Sequence, residues 1–246
     1  MLSSCKKNMK WSRLVRKSIN EIVNAINVGK NFGIKLGVMT LLNKFIFRND
    51  NIFYNFKKNY YTEIRKYLYK KYFIRIKYNQ TQPNTTQNTI DYNVPIWVMW
   101  WQGENNMPEV VKKCIDSIKK NAGMHNVCLI TKENYTKYVR LPQNIITKFN
   151  NKRISITHLS DIIRFYLLYP WGGVWMDATI YMMKPLEREI YDYDLYTINH
   201  GLSHYLCEGK WTAFFWAGTK RNSFFGWVLD FLLEYWENES WVIDYF

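Results

Sequence analysis

Ser160-Asp161-Ile162-Ile163-Arg164, and after it Gly172-Gly173-Val174-Trp175-Met176-Asp177-Ala178-Thr179, form the stretch on which the fold reading turns. The residues around Asp161 predict a helix over 157–169. The paired glycines stop it, and Val174 to Asp177 predict a short buried strand ending on a carboxylate. Asp161 and Arg164 stand three apart and share one helix face. Asp177 lies sixteen positions after Asp161, where the strand leaves its sheet. Open α/β sheets bind ligands beyond the carboxyl ends of their strands. Three charges converging there among aromatic residues point to a site for a polar, anionic ligand. Plainer readings stand beside this one. Asp177 can cap a turn through Thr179, and Asp161 with Arg164 can be an intrahelical ion pair.

Outward from this unit the chain alternates. Pro95 to Trp101 reads as a buried strand, Pro108 to Asn121 as a helix with proline in its first turn, and Val127 to Thr131 as a second strand. Short helices are expected over 132–139 and 142–150, and a longer one from Phe224 to Glu237, with Trp227, Phe231, Leu232 and Tyr235 as its burial candidates. Strand–helix alternation predicts an α/β fold with a mainly parallel sheet. Trp100 and Trp101 end the first strand, before Gln102-Gly103; one faces the core and the other is free to stack on a base.

Asp177 is the strongest chemical candidate. A carboxylate at a strand end can bind Mg²⁺ or Mn²⁺ while a substrate diphosphate supplies further oxygens, with the Thr179 hydroxyl as nearest helper. Asp161 and Arg164 can hydrogen-bond a polyol, since a carboxylate accepts from two hydroxyls and a guanidinium donates in a fixed fork. His158, His200 and His204 show no metal spacing and read as ordinary polar residues. Neither a Gly-rich phosphate loop nor a G-x-S-x-G elbow occurs, which disfavours kinase, P-loop and α/β-hydrolase chemistry.

The net charge of +14 is unevenly placed. Residues 1–93 carry 18 Lys/Arg against 4 Asp/Glu, whereas residues 94–246 carry 16 of each. The basic character therefore belongs to the N-terminal third and implies an anionic surface met by that part. Residues 10–27 read as a basic amphipathic helix with Trp11, Val15, Ser18, Ile22 and Ile26 near helical spacing; 34–47 are more apolar but interrupted by Lys35 and Lys44, and 52–78 read as another helix. Aromatic and basic residues interleaved in this way suit the headgroup region of an anionic membrane, met through residues 1–78. A helical appendage with a solvated basic face is the plainer alternative; nucleic acid is disfavoured because no recognised motif accompanies the charge. The polar stretch 79–93 reads as a linker and divides a basic helical region, 1–93, from the remainder, 94–246.

Eleven Trp and nineteen Tyr are a composition common where sugars or bases stack on rings, although codon bias toward Lys, Asn, Ile and Tyr also produces it. The scattered Cys5, Cys114, Cys128 and Cys207 favour a reducing compartment. Lys6, Lys7 and Lys10 lead into no continuous apolar core, so no signal peptide is expected, and no segment reaches the length of a membrane span. The expected location is cytoplasmic, peripheral at the inner face of the cell membrane.

Pro95-Ile96-Trp97-Val98-Met99-Trp100-Trp101-Gln102-Gly103, the Ser160 to Arg164 helix, Gly172 to Thr179 and Lys210-Trp211-Thr212-Ala213-Phe214-Phe215 together resemble the glycosyltransferase family 32 pattern, and more closely its capsular-polysaccharide branch. Glu234-Tyr235-Trp236 and Ile243-Asp244-Tyr245-Phe246 fit the same pattern, and the resemblance covers about residues 94–246. It implies a GT-A-like, Rossmann-type mixed sheet flanked by helices, and sugar transfer from a nucleotide-diphosphate sugar to a glycan or lipid-linked acceptor, with retention and without an enzyme nucleophile. It further implies Trp100 and Gln102 near the nucleotide, Asp161 and Arg164 near the donor sugar, Asp177 with Thr179 at a Mn²⁺- or Mg²⁺-diphosphate, and Lys210 near the diphosphate. A protein-modifying transferase and a noncatalytic sugar- or nucleotide-binding remnant are the rival readings. Two departures stand out: Asp177-Ala178-Thr179 replaces the Asp-x-Asp of many relatives, and the apolar ending is that expected of a shortened product.

Overall fold

β1 (Ile96–Met99), β2 (Val127–Ile130), β3 (Gly173–Asp177), β4 (Leu195–Thr197) and β5 (Phe215–Gly218) form one sheet in the order β2-β1-β3-β5-β4. A computed structural model describes residues 2–46, 53–73, 89–91, 93–201 and 207–243, with backbone alone for 2–13. β1 pairs in parallel with β2 and with β3; β5 runs against both β3 and β4, so it alone opposes the common direction. The chain is thus mixed α/β, as the alternation predicts. β4 and β5 fall in a stretch for which the sequence reading assigned no strand, since three or four residues bounded by polar loops give too short a period to count.

The helices among the described residues are α1 (Leu2–Phe32), α2 (Ile34–Phe45), α3 (Tyr54–Leu68, continued by a π turn over Tyr69–Phe73), α4 (Glu109–Asn121), α5 (Gln143–Asn150), α6 (Ile156–Trp171) and α7 (Ser223–Asn238). The expected helix over 10–27 is one part of the much longer α1. The stretch expected to be helical over 132–139 makes only a 3₁₀ turn at Tyr135–Lys137. Residues 74–78, most of the expected linker, His204, the residues after Ile243 and the side chains of Lys6, Lys7, Lys10 and Trp11 lie outside the described residues.

Alternation along the strands sorts side chains into two cores. Ile96, Val98, Val174, Met176, Phe215 and Ala217 face a layer with Val111, Ile115 and Ile118 of α4. Trp97, Met99, Trp175 and Trp216 face the larger layer, built with α6 and α7. Trp97 pairs in register with Trp175, and Trp175 with Trp216, so three indoles lie in one row across the sheet. Gly172 closes α6 at φ +66°, its N–H bonded to the Leu168 carbonyl; a Cβ there would stand 2.7 Å from the Lys220 nitrogen. Gly173 has φ +105°, and its Cβ would run into the Pro95 carbonyl oxygen. Only glycine meets both conditions at this crossing.

The basic N-terminal helices join the larger core through Val28, Phe32, Leu36, Tyr60, Ile64 and Tyr72. α1 and α2 form a hairpin in which Gly37 packs on the Gly29 backbone. Polar contacts fix the attachment. Thr40 Oγ1 meets the Tyr60 hydroxyl at 3.2 Å, and Trp241 Nε1 donates to Asn24 at 2.9 Å. Beyond α7, the Glu239 carboxylate is 5% exposed. Its Oε1 accepts from the hydroxyls of Tyr67 (2.9 Å) and Tyr72 (2.6 Å) and from Lys71 Nζ (2.5 Å), all on α3 and its π turn. Burial and this carboxylate together hold the Tyr72 hydroxyl well above the usual phenol range, so it stays a donor.

Removing the acceptor strands three donors. Glu239→Leu is therefore expected to cost about 3 kcal/mol and to lower the melting temperature by roughly 6–12 °C, with Glu239→Gln retaining part of the loss. Thermal unfolding followed by circular dichroism checks this; an unchanged midpoint in Glu239→Leu would contradict it.

Candidate active site

The three charges picked out by the sequence meet at one edge of the sheet. α6 starts at Ser155, whose side chain accepts from the His158 N–H, and it buries residues on nearly every side. Arg164 is 5% exposed, yet it points at two carboxylates: Nη1 lies 3.0 Å from Asp161 Oδ1 and Nη2 3.5 Å from Asp177 Oδ1. The intrahelical pair therefore exists and is also one arm of a bridge to β3. The guanidinium carbon stands 5.0 Å from the Trp175 ring centroid, and Trp175 Nε1 donates to Asp177 Oδ1 at 2.9 Å. One indole thus carries the cation on its face and orients the carboxylate with its edge.

Asp177 is more than a third exposed, and its second oxygen takes no hydrogen bond among the described residues. Backbone bonds set its position: its N–H reaches the Phe214 carbonyl at 3.0 Å, and its carbonyl accepts from Ile180 in the turn that follows. This is the carboxyl end of the parallel strands, to which β1 brings Trp100 and β2 brings Thr131.

Of the two tryptophans after β1, Trp101 packs on Tyr135 and Phe149 in the larger core. Trp100 lies half-buried against the α4 layer, and its buried indole N–H has no acceptor among the described residues. Gln102 and Thr179 are exposed, and among the described residues no side-chain hydrogen bond draws either toward Asp177. Lys210 is exposed and paired with Glu208 at 3.1 Å. Asp161, Arg164 and Asp177 are therefore brought together, whereas among the described residues Trp100, Gln102, Thr179 and Lys210 form no hydrogen bond or ion pair with them. His158 is buried, its Nδ1 2.8 Å from Ser155 Oγ, and burial pushes its pKa down to about 4.

Three residues of the site escaped the sequence reading. Trp175 is given no role there beyond its place in the strand, although an aromatic two residues before a strand-end carboxylate was a usable signal. Phe165 and Trp216 meet edge to face beside Arg164 and depend on a pairing invisible along the chain.

Among the described residues no three His, Cys, Asp or Glu side chains gather as a metal cluster. Asp177, with one oxygen uncommitted, suits a hard cation that takes one protein carboxylate and most of its shell from phosphate and water.

Burial pushes the Asp161 carboxyl up to about 6; Arg164 opposes this and Asp177 adds to it. The folded state thus holds that proton more tightly than the unfolded chain does, where the ordinary value is 3.8. The stability linked to this group is complete below the unfolded value and lost as pH rises through the folded one. In metal-free protein, Asp161→Asn should gain several degrees of melting temperature relative to wild type between about pH 4 and about pH 7. A difference independent of pH would contradict the assignment.

Comparison with known proteins adds three findings. Residues 42–246 match the family described as capsular polysaccharide synthesis protein. A solved structure titled PaToxG Glycosyltransferase is similar at 20% identity and a TM-score of 0.44, covering 71% of this chain and 72% of that one. No curated protein gives a significant match.

Proposed function

The chain belongs to the capsular polysaccharide synthesis protein family, and from that premise we propose that it is a glycosyltransferase with a GT-A-like donor site. It moves a sugar from a nucleotide-diphosphate donor to a glycan or lipid-linked acceptor in surface polysaccharide assembly. The observation that carries this reading is the buried Arg164 spanning Asp161 and Asp177 at the carboxyl edge of the parallel strands.

Each group has a part. Asp161 accepts hydrogen bonds from donor-sugar hydroxyls, and Arg164 fixes its rotamer while donating from the same face. Above about pH 6 Asp161 is ionised, so the two carboxylates and one guanidinium sum to −1. That local charge repels a diphosphate unless a cation stands between them. Asp177 would hold Mg²⁺ or Mn²⁺ through its uncommitted oxygen, and such an ion, when bound, stabilises charge on the departing diphosphate. The bond from the anomeric carbon to the diphosphate breaks, the bond to the acceptor hydroxyl oxygen forms, and the hydroxyl proton leaves with the departing phosphate. No enzyme nucleophile enters if the configuration is retained. In this reading Trp100 and Gln102, just beyond β1, would contact the nucleotide, and Thr179 and Lys210 the diphosphate.

Calorimetric titration of UDP and GDP, with and without Mn²⁺, tests the donor site. One nucleotide should bind in a metal-dependent way, at least tenfold more weakly in Asp177→Ala. Absence of binding by both, or binding indifferent to Asp177, would count against the reading.

The N-terminal hairpin supports a membrane-peripheral location at the cytoplasmic face. Val15, Ile19, Ile22 and Ile26 of α1 and Val38 and Leu41 of α2 are exposed, with Arg16, Lys17, Lys30 and Lys44 exposed nearby. None of the described helices is long and apolar enough to cross a membrane. An apolar face edged by cations suits the headgroup region of anionic lipid. Co-sedimentation with anionic vesicles should fall severalfold in Ile26→Glu/Val38→Glu and weaken with salt; retention unaffected by both would exclude this docking.

A further inference from the structure

A cavity of about 340 Å³ opens beside the carboxylate–guanidinium site, between α6, α7, the 207–216 segment and the α3 π turn. Its walls are almost wholly apolar: Leu68 and Phe73 from the α3 side, Trp227 and Phe231 from α7, and Trp211 and Trp216 from the segment leading into β5. Among the described residues, the charged side chains on its border are Asp161, Arg164 and Arg65, and Arg65 is paired with Glu208 at 3.1 Å. Arg164 is 95% buried, and its Nε has no hydrogen-bond partner among the described residues.

Composition narrows the occupant. A sugar subsite pairs one or two rings with several polar groups, because each hydroxyl brought out of water needs a partner. This cavity has rings on every side and polar groups at a few points of its rim, which suits hydrocarbon. An apolar cavity of about 150 Å³ accommodates benzene, so on the same scale this one has room for roughly a dozen carbon atoms. α3, which gives one wall of the cavity, also carries the N-terminal hairpin through Lys35–Glu63 at 2.7 Å and Thr40–Tyr60.

We infer that the cavity binds the hydrocarbon chain of an amphiphilic acceptor and so presents that acceptor's head to the Asp161–Arg164 site. This rests on the sugar-transfer reading for the word acceptor alone; the chain site itself stands or falls independently. It commits the acceptor to a lipid-linked molecule, with an acyl or an isoprenoid chain as the shared chemistry.

The test uses the full chain, with dodecyl phosphate and farnesyl phosphate as probes below their micellar concentrations, and inorganic phosphate and methyl glucoside as chainless controls. Binding is read by tryptophan fluorescence, and stoichiometry by equilibrium dialysis. At least one chain probe should bind saturably, one per protein, at least tenfold more tightly than phosphate. The tighter of the two identifies the chain type. Two variants fill the space from different sides: Val228→Trp on α7 and Ala213→Phe on the exposed loop, each checked for an unchanged melting midpoint. Each should weaken chain binding at least tenfold. Binding no tighter than phosphate, equal binding by both filled variants, or an equal response to methyl glucoside would overturn the inference. Because nucleotide titration is independent of these probes, loss of the donor reading and loss of the chain site are separately visible.

Discussion

A single buried guanidinium holds two carboxylates that belong to different elements, and the site depends on it. Without Arg164, Asp161 would be a carboxylate 13% exposed with no cation, and Asp177 would face it across the gap between α6 and β3. Removing one partner of such a pair typically costs about 3–5 kcal/mol, because the remaining charge stays buried. The fold supports the guanidinium from below. Trp175 carries it, and Trp175 is in turn held in the indole row by register with Trp97 and Trp216. The strand that delivers Asp177 can lie so close to β1 only because Gly173 has no side chain to meet Pro95. Sheet geometry, aromatic packing and charge placement thus converge on a few atoms.

A second constraint acts at a distance. The Glu239 carboxylate draws α3 and its π turn onto the end of α7, and these elements form two walls of the apolar cavity. The basic helices are thereby fastened to the layer that holds the carboxylate–guanidinium bridge. In the proposed function this coupling has a use, because a transferase working on a lipid-linked acceptor needs its lipid-facing part and its chemistry in fixed relation. The family match begins at residue 42, and so it takes in α3 as well as the sheet.

Much of the site was legible along the chain because its signals are local. The spacing of Asp161 and Arg164, the Gly172-Gly173 stop and the strand-end Asp177 need no knowledge of distant partners, and the structure brings those three charges together. The limits of α6 and β3 differ from expectation by no more than two residues for the same reason. What was not legible is what distant segments build. β4 and β5 are too short for periodicity and exist by pairing with each other and with β3. The cavity is assembled from α3, α6, α7 and the 207–216 segment, which lie far apart in sequence. Trp100 and Trp101 could be recognised as a pair with one member in the core, but packing sets each half-buried against a different core, Trp101 on the larger one and Trp100 on the α4 layer. Polarity gave no hint that His158 would be buried; its place on a helix covered on nearly all sides decided it.

Hydrolysis of a panel of UDP- and GDP-sugars tests the role of the bridging guanidinium most directly, because water can replace the acceptor when none is supplied. Release of nucleotide diphosphate, followed by mass spectrometry, should be detectable with at least one donor. It should fall by roughly a hundredfold in Arg164→Lys, whose point charge cannot span both carboxylates in a fork. Hydrolysis of no donor by the wild type, or equal hydrolysis by a folded Arg164→Lys variant, would contradict a sugar-transfer site built on Arg164.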